Sequence, residues 1–294
     1  MSDPGFVIPF DRLPERFSEQ VEHPPETPAP ARPAATIVLL RDGARGPEVL
    51  LLHRTRSAGF VPGAYVFPGG RVDRSDADEN LAARLDGLDV DVAARRLGLP
   101  GDTSEAGRPG AAAADPPALA YYLAALREAF EETGILVARR LDGTAPPAAR
   151  EDARVDALRD ALLEGEVSFA AVLERLGCRL DGAAVEYLAH WITPVVEPRR
   201  YDTRFFAAKV RPGVHPVVDA REMTDAIWID PDEALRRCRE GTLPMVFPTI
   251  RTLEDLSAFA SVDAILEDLR GREIPVVLPR LVVTPTGIGM EVDP

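Results

Sequence analysis

Lysine occurs once in this 294-residue sequence, at Lys209, and histidine four times, at His23, His53, His190 and His215. A single lysine and no GxxxxGK[ST] stretch exclude a P-loop NTPase. No two histidines stand at ligand spacing, which argues against a histidine zinc site. Two cysteines, Cys178 and Cys238, are too few for a four-cysteine zinc site or a disulfide framework. Any divalent metal must then be held by oxygen, which points to magnesium, manganese or calcium. Positive charge is short as well: 34 basic against 48 acidic residues leave a net charge of −14, which argues against nucleic acid as a partner. An anionic substrate would need a metal or a local arginine cluster to meet it. No apolar run approaches the roughly 18 residues of a membrane span. The start, MSDPGFVIPFDRLPERF, carries acids and prolines where a signal peptide needs a basic region and an apolar core. The chain is therefore expected to be cytoplasmic, with no membrane partner.

What is present is the composition of a globular protein, 46% hydrophobic and 28% charged, in a chain long enough to bury a core. Residues 1–33, with the proline-rich EHPPETPAPARP, read as an extended or disordered lead-in, and order is expected from Ala35. ATIVLLRD and EVLLLHR read as buried strands joined in a hairpin across Asp42 to Pro47. The glycine- and proline-rich RSAGFVPGAYVFPGGRVD excludes a helix. ENLAARL and DVAARRLGL predict one or two short helices over 77–99, and residues 100–117 a surface loop. Pro117 then opens a helix through Thr133, with Gly134 as its C′ glycine. Further strands are expected at ILVA, YLAHWITP, TRFFAAKV, HPVV, AIWI and PVVLPRLVV. Helices are expected within 150–176, at PDEALRRCREG and in LEDLSAFASVDAILEDLRG. Strands and helices without strict βαβ alternation favour an α+β sandwich.

The chemistry concentrates in Arg127-Glu128-Ala129-Phe130-Glu131-Glu132-Thr133-Gly134-Ile135. Glu128, Glu131 and Glu132 fall at i, i+3 and i+4 on one helix face, where like charges repel. A divalent cation converts that repulsion into coordination; without one, the face is simply a solvated acidic surface. Upstream stands Phe67-Pro68-Gly69-Gly70-Arg71-Val72-Asp73, a glycine turn able to bring backbone close to a ligand.

Together these segments resemble the Nudix box, Gx5Ex7REUxEExGU with U aliphatic, of the Nudix hydrolases. REAFEETGI matches the second half if Ala129 is taken as the aliphatic residue. Gly70 is the opening glycine, and Asp76 stands where the box has its first glutamate. The departure is spacing: 56 residues separate Gly70 from Arg127, 43 more than the box allows. A long insert inside the box is similar to the branch of the family that includes coenzyme A diphosphatases. Leu50 to Thr55, Phe60 to Ala64, Trp191 to Pro194, Arg200 to Phe206, Trp228 and Phe247-Pro248-Thr249 look like the same branch.

The resemblance implies a Nudix-type α/β/α sandwich with a mixed sheet over 34–294, a helical insertion over 77–116, and extra C-terminal helices. It implies hydrolysis of the pyrophosphate bond of a nucleoside-diphosphate-linked compound, coenzyme A or an acyl derivative first. ADP-ribose, NADH or a nucleotide sugar, and a non-catalytic binding module, stay open as alternatives. It implies Mg²⁺ or Mn²⁺ held by Glu128, Glu131, Glu132 and the Gly70 carbonyl, with Arg127 orienting a glutamate. The water-activating base is Glu222, on the loop before AIWI, or Glu128. Arg54 and Arg71 are candidates to grip phosphate, and Arg204 a weaker one. Trp191, Tyr201, Phe205 and Phe206 are stacking candidates for an adenine, although aromatics on strands more often fill cores. His53 and both cysteines are read as structural. The expected partner is a small-molecule nucleoside diphosphate derivative, and the sequence is compatible with a homodimer.

Overall fold

The computed structural model describes residues 6–13, 16–56, 61–99 and 116–292. Strand β1 (Val7–Pro9) leads through a 3-10 turn to helix α1 (Phe17–Glu22). Strands β2 (Ala31–Asp42) and β3 (Pro47–Arg54) form the anticipated hairpin, closing with Asp42 opposite Pro47. The glycine loop carries β4 (Tyr65–Val66) on β3 and β5 (Gly69–Arg71) on β2. A 3-10 turn (Arg74–Ala77), α2 (Glu79–Ala82), β6 (Leu85–Asp86) and α3 (Val90–Leu97) make up the described part of the insert. Of the surface loop expected over 100–117, residues 100–115 lie outside the described residues. There follow α4 (Ala118–Thr133), β7 (Ala138–Arg140), α5 (Ala153–Leu163), α6 (Phe169–Leu176) and β8 (Cys178–Asp181). Then come β9 (Val185–Ile192), β10 (Arg200–Lys209), β11 (Met223–Ile229) and α7 (Pro231–Arg239). The chain ends through α8 (Phe247–Leu256), α9 (Val262–Gly271), β12 (Val276–Val277), β13 (Arg280–Thr284) and β14 (Gly287–Glu291).

The central sheet has the order β11-β3-β2-β10-β9-β12, with β10 parallel to β2 and β12 parallel to β9 among otherwise antiparallel pairs. Its inner strands are apolar on both faces, as a sheet covered on both sides requires. Ile37, Leu39, Leu50, Leu52 and Phe206 pack under α4, α3 and α6. Val38, Leu40, Val49, Leu51 and Ala207 face α7, α8 and α9. This is the mixed-sheet α/β/α sandwich, with the extra C-terminal helices forming its second cover.

Several expectations are corrected. The lead-in over 1–33 is not simply extended or disordered: Val7–Pro9 pairs antiparallel with β14, and β2 starts at Ala31. The apolar Phe6, Val7 and Ile8 find partners in the C-terminal sheet, a non-local pairing that composition does not reveal. ILVA enters a strand only at its last residue, Ala138, where β7 begins, and HPVV lies in a loop. The insert also contributes β6, parallel to β8. Among the described residues no helix is long and apolar enough to cross a membrane.

Candidate active site

Helix α4 positions the acidic residues. Its apolar side, with Leu123, Leu126 and Phe130, is buried against the sheet, and Gly134 at φ 68° ends it. The periodicity then carries Glu128 to the glycine loop. A methyl group added at Gly70 would sit 2.3 Å from Glu128 Oε1, so the carboxylate fills the space a side chain would take. Glu132 Oε2 accepts the Gly69 N–H at 3.0 Å. The loop itself is fixed by β5 pairing, with Gly70 opposite Ala35, and by Ile37 N–H donating to the Pro68 carbonyl.

Arg127 organises the cluster, and every one of its five N–H groups has an acceptor. Nε and Nη2 form a fork to Asp76 at 2.8 and 3.0 Å, and Nη2 also reaches the Arg71 carbonyl at 3.1 Å. Nη1 holds Glu128 Oε1 at 2.9 Å and Glu131 Oε2 at 2.7 Å. Asp76 is 0% exposed, so the insert's first residues are tied to α4 by a buried charge-assisted pair. Burial opposes the guanidinium's charge, but Asp76, Glu128 and Glu131 outweigh it and hold its pKa above the usual range.

The carboxylates carry the opposite strain. Burial pushes Glu128 up to about 7, against the pull of Arg127 and with help from Glu131. Glu131 is raised by burial too. Glu132 is raised well above the ordinary range by burial and by the Glu128 charge, with the Gly69 N–H and Arg54 pulling the other way. Among the described residues no three acidic, histidine or cysteine groups converge as a ready cage, because Arg127 and Gly69 hold these carboxylates. The donor set nevertheless fits a hard cation: oxygen ligands only, half-desolvated, mutually repelling, and set against a glycine that leaves room.

Glu222 lies at this same edge. Arg54 Nη2 donates to Glu222 Oε2 at 3.3 Å, and Thr55 N–H donates to the Glu222 carbonyl at 2.9 Å. The Glu222 carboxylate is 59% exposed, open to substrate and solvent. The structure thus brings Gly70, Arg127, Glu128, Glu131, Glu132, Arg54 and Glu222 together. Arg71 contributes its carbonyl while its side chain is exposed. Arg204 does not face the site opening: it is buried, donates to Asp202 at 3.1 Å and lies over the Tyr121 ring at 4.2 Å. Trp191, Phe205 and Phe206 are core residues. His53 stacks on Tyr65 and meets the Thr224 hydroxyl at 2.7 Å. Sequence reasoning missed Arg159 of α5, whose Nε and Nη2 donate to the Glu131 carbonyl at 2.9 and 2.6 Å. No spacing links it to the box.

A mixed sheet whose FPGG loop meets an REUxEE helix defines a Nudix hydrolase. Comparison with known proteins gives the narrower placement: the chain belongs to the NUDT19 Nudix domain family, which matches it over residues 29–256. It is similar to the acyl-coenzyme A diphosphatase NUDT19 of Gallus gallus, at 31% identity over 274 residues, covering 79% of this chain and 69% of that protein. The Homo sapiens acyl-coenzyme A diphosphatase NUDT19 is 29% identical over 274 residues, covering 83% and 70%. Among solved structures, a NUDIX hydrolase from Alicyclobacillus acidocaldarius superposes with a TM-score of 0.64 at 32% identity, covering 81% of this chain and 96% of the other. Hydrolases of this family use divalent metal ions.

Proposed function

We propose that this protein hydrolyses the pyrophosphate bond of coenzyme A or an acyl-coenzyme A, using Mg²⁺ or Mn²⁺. The choice of substrate is supported by the two acyl-coenzyme A diphosphatases it resembles over most of its length. The chemistry is supported by one observation above others: Glu128 and Glu132 of the helix meet Gly70 and Gly69 of the FPGG loop, with Glu131 held beside Glu128 by Arg127. Glu128, Glu131, Glu132 and the Gly70 carbonyl would hold the ion, which supplies charge neutralisation on the diphosphate oxygens and acidifies water. Arg127 keeps Glu128 and Glu131 in place without touching substrate. Glu222 takes the proton of the attacking water, being exposed and outside the ligand set. Arg54, beside it, offers a guanidinium to a phosphate oxygen, exchanging Glu222 for substrate. Arg71 stands at the loop for the same purpose. A net charge of −14 supports a small-molecule substrate over nucleic acid.

The test is a panel of coenzyme A, acetyl-coenzyme A, ADP-ribose, NADH and nucleotide sugars with Mg²⁺, scored by release of the two phosphomonoesters. Coenzyme A thioesters are expected to be cleaved best. Strong cleavage of ADP-ribose with none of coenzyme A would overturn the substrate, and no turnover of any compound would overturn the catalytic roles.

A further inference from the structure

An α-helix leaves its last four carbonyls without donors of its own. In α4 these belong to Phe130, Glu131, Glu132 and Thr133, and the structure accounts for each. Gly134 N–H donates to the Phe130 carbonyl at 2.8 Å, as an ordinary helix end. The other three are met from distant parts of the chain. Val217 N–H reaches the Thr133 carbonyl at 2.8 Å and Asp219 N–H the Glu132 carbonyl at 3.3 Å. The Glu131 carbonyl takes both arms of Arg159, at 2.9 and 2.6 Å.

That helix end is electrostatically awkward. The dipole's negative pole coincides with Glu131 and Glu132, and the last turn has no basic residue. Arg159, only 5% exposed, supplies the missing cation from α5. Burial pulls its pKa down, and the charges of Asp219, Asp160, Asp156 and Glu132 pull it back. Asp219 in turn accepts at its carbonyl the N–H groups of Glu222 and Met223, at 3.2 and 2.9 Å. One buried guanidinium therefore holds the turn that bears Glu131 and Glu132, and the backbone of Asp219 joins that same turn to the segment that bears Glu222.

We propose that Arg159 is a positioning residue of the hydrolytic site, setting the separation between the helix carboxylates and the Glu222 loop without touching substrate. Its fork locks the α4 terminus at Glu131, and the backbone of Asp219, whose N–H meets the Glu132 carbonyl and whose carbonyl takes the Glu222 N–H, carries that position to the Glu222 loop. The inference rests on the proposed assignment of Glu131 and Glu132 to the metal and Glu222 to the water. A displacement of about 1 Å between such groups can cost about a hundredfold in rate.

The experiment uses the full chain with Arg159→Met and Arg159→Lys, measuring Mn²⁺ affinity without substrate by electron paramagnetic resonance of the free ion, together with kcat and KM. Arg159→Met is expected to bind Mn²⁺ about tenfold more weakly and to lose kcat by about ten- to a hundredfold, with KM within about twofold. Arg159→Lys, which keeps the charge but not the fork, is expected to recover part of both. A folded Arg159→Met that melts earlier yet keeps wild-type Mn²⁺ affinity and kcat overturns the proposal, leaving Arg159 a helix cap. Should Arg159→Met fail to fold, Arg159→Lys decides: reduced kcat with unchanged far-ultraviolet circular dichroism supports positioning, and wild-type kcat overturns it. Wild-type protein that binds no Mn²⁺ overturns the metal assignment, and this proposal with it.

Discussion

At Gly70 the absence of a side chain is a requirement of the site rather than of the backbone. Its φ is not left-handed, so an alanine is conformationally allowed there. What the alanine would meet is the Glu128 carboxylate, at 2.3 Å. That group is the free end of a flexible side chain, so the fold can yield while the carboxylate cannot stay. Gly70→Ala is expected to leave the circular dichroism spectrum unchanged and to lower metal-dependent turnover by about a hundredfold, a cost typical of a displaced catalytic group. Activity near wild type would show that Glu128 works from elsewhere. Two carboxylates compete for the role of base. Glu128 is bound to Arg127 and crowded by Glu131, whereas Glu222 is open and, among the described residues, paired with Arg54. Glu222→Gln is expected to reduce kcat by about a hundredfold or more, with KM little changed. If that variant keeps its kcat while Glu128→Gln is dead, the helix glutamate is the base.

Among the elements, the described part of the insert is packed into the fold. Helix α3 buries Ala93, Ala94 and Leu97 in the core beneath α4, and its Arg96 joins Arg270 of α9 on the buried Glu186. The stretch from 100 to 116 joins this to Pro117, and closure entropy rises only logarithmically with loop length. Replacing 100–116 with a short Gly-Ser linker is therefore expected to preserve hydrolysis, read as kcat. Leu97→Ala is expected to cost about 2–5 kcal/mol in denaturant unfolding, as core truncations do. Loss of all activity in the linker variant would mean the segment shapes the site. Distance along the chain explains what was legible in the sequence. The hairpin, α4 and the three-glutamate face were readable because local signals set them: β-branched and leucine runs, Pro117 and Gly134, and the i, i+3, i+4 spacing. Asp76 was readable only through the box, since nothing local marks it as the partner of Arg127 51 residues on. Strand β1 and Arg159 were not readable at all. Each is defined by a partner far along the chain, β14 for one and the Glu131 carbonyl for the other.

For the molecule as a whole, the site is a store of unfavourable charge that a cation would relieve. Glu128 has a pKa of about 7 in the fold against 4.5 for an ordinary glutamate, and Glu131 and Glu132 are raised in the same direction. A raised carboxylate pKa stabilises the fold while the group is protonated. That contribution is complete below about 4.5 and is lost as pH rises through about 7, amounting to about 3 kcal/mol for Glu128. Metal-free protein is thus expected to lose stability at this site between pH 5 and pH 8. A divalent ion binds the deprotonated carboxylates of the folded state, so its stabilising effect should grow over the same interval as protons cease to compete. The measurement is the melting temperature in Mg²⁺ minus that in chelator, taken at pH 5, 6.5 and 8. The difference is expected to widen toward pH 8 in the wild type, and in a Glu131→Gln, Glu132→Gln double variant to shrink at every pH to whatever the surface field alone contributes. A chain carrying a net charge of −14 will also attract cations diffusely, and that contribution survives in the double variant. A metal-induced shift of equal size in wild type and double variant would therefore assign the effect to the surface field and remove the metal from the helix.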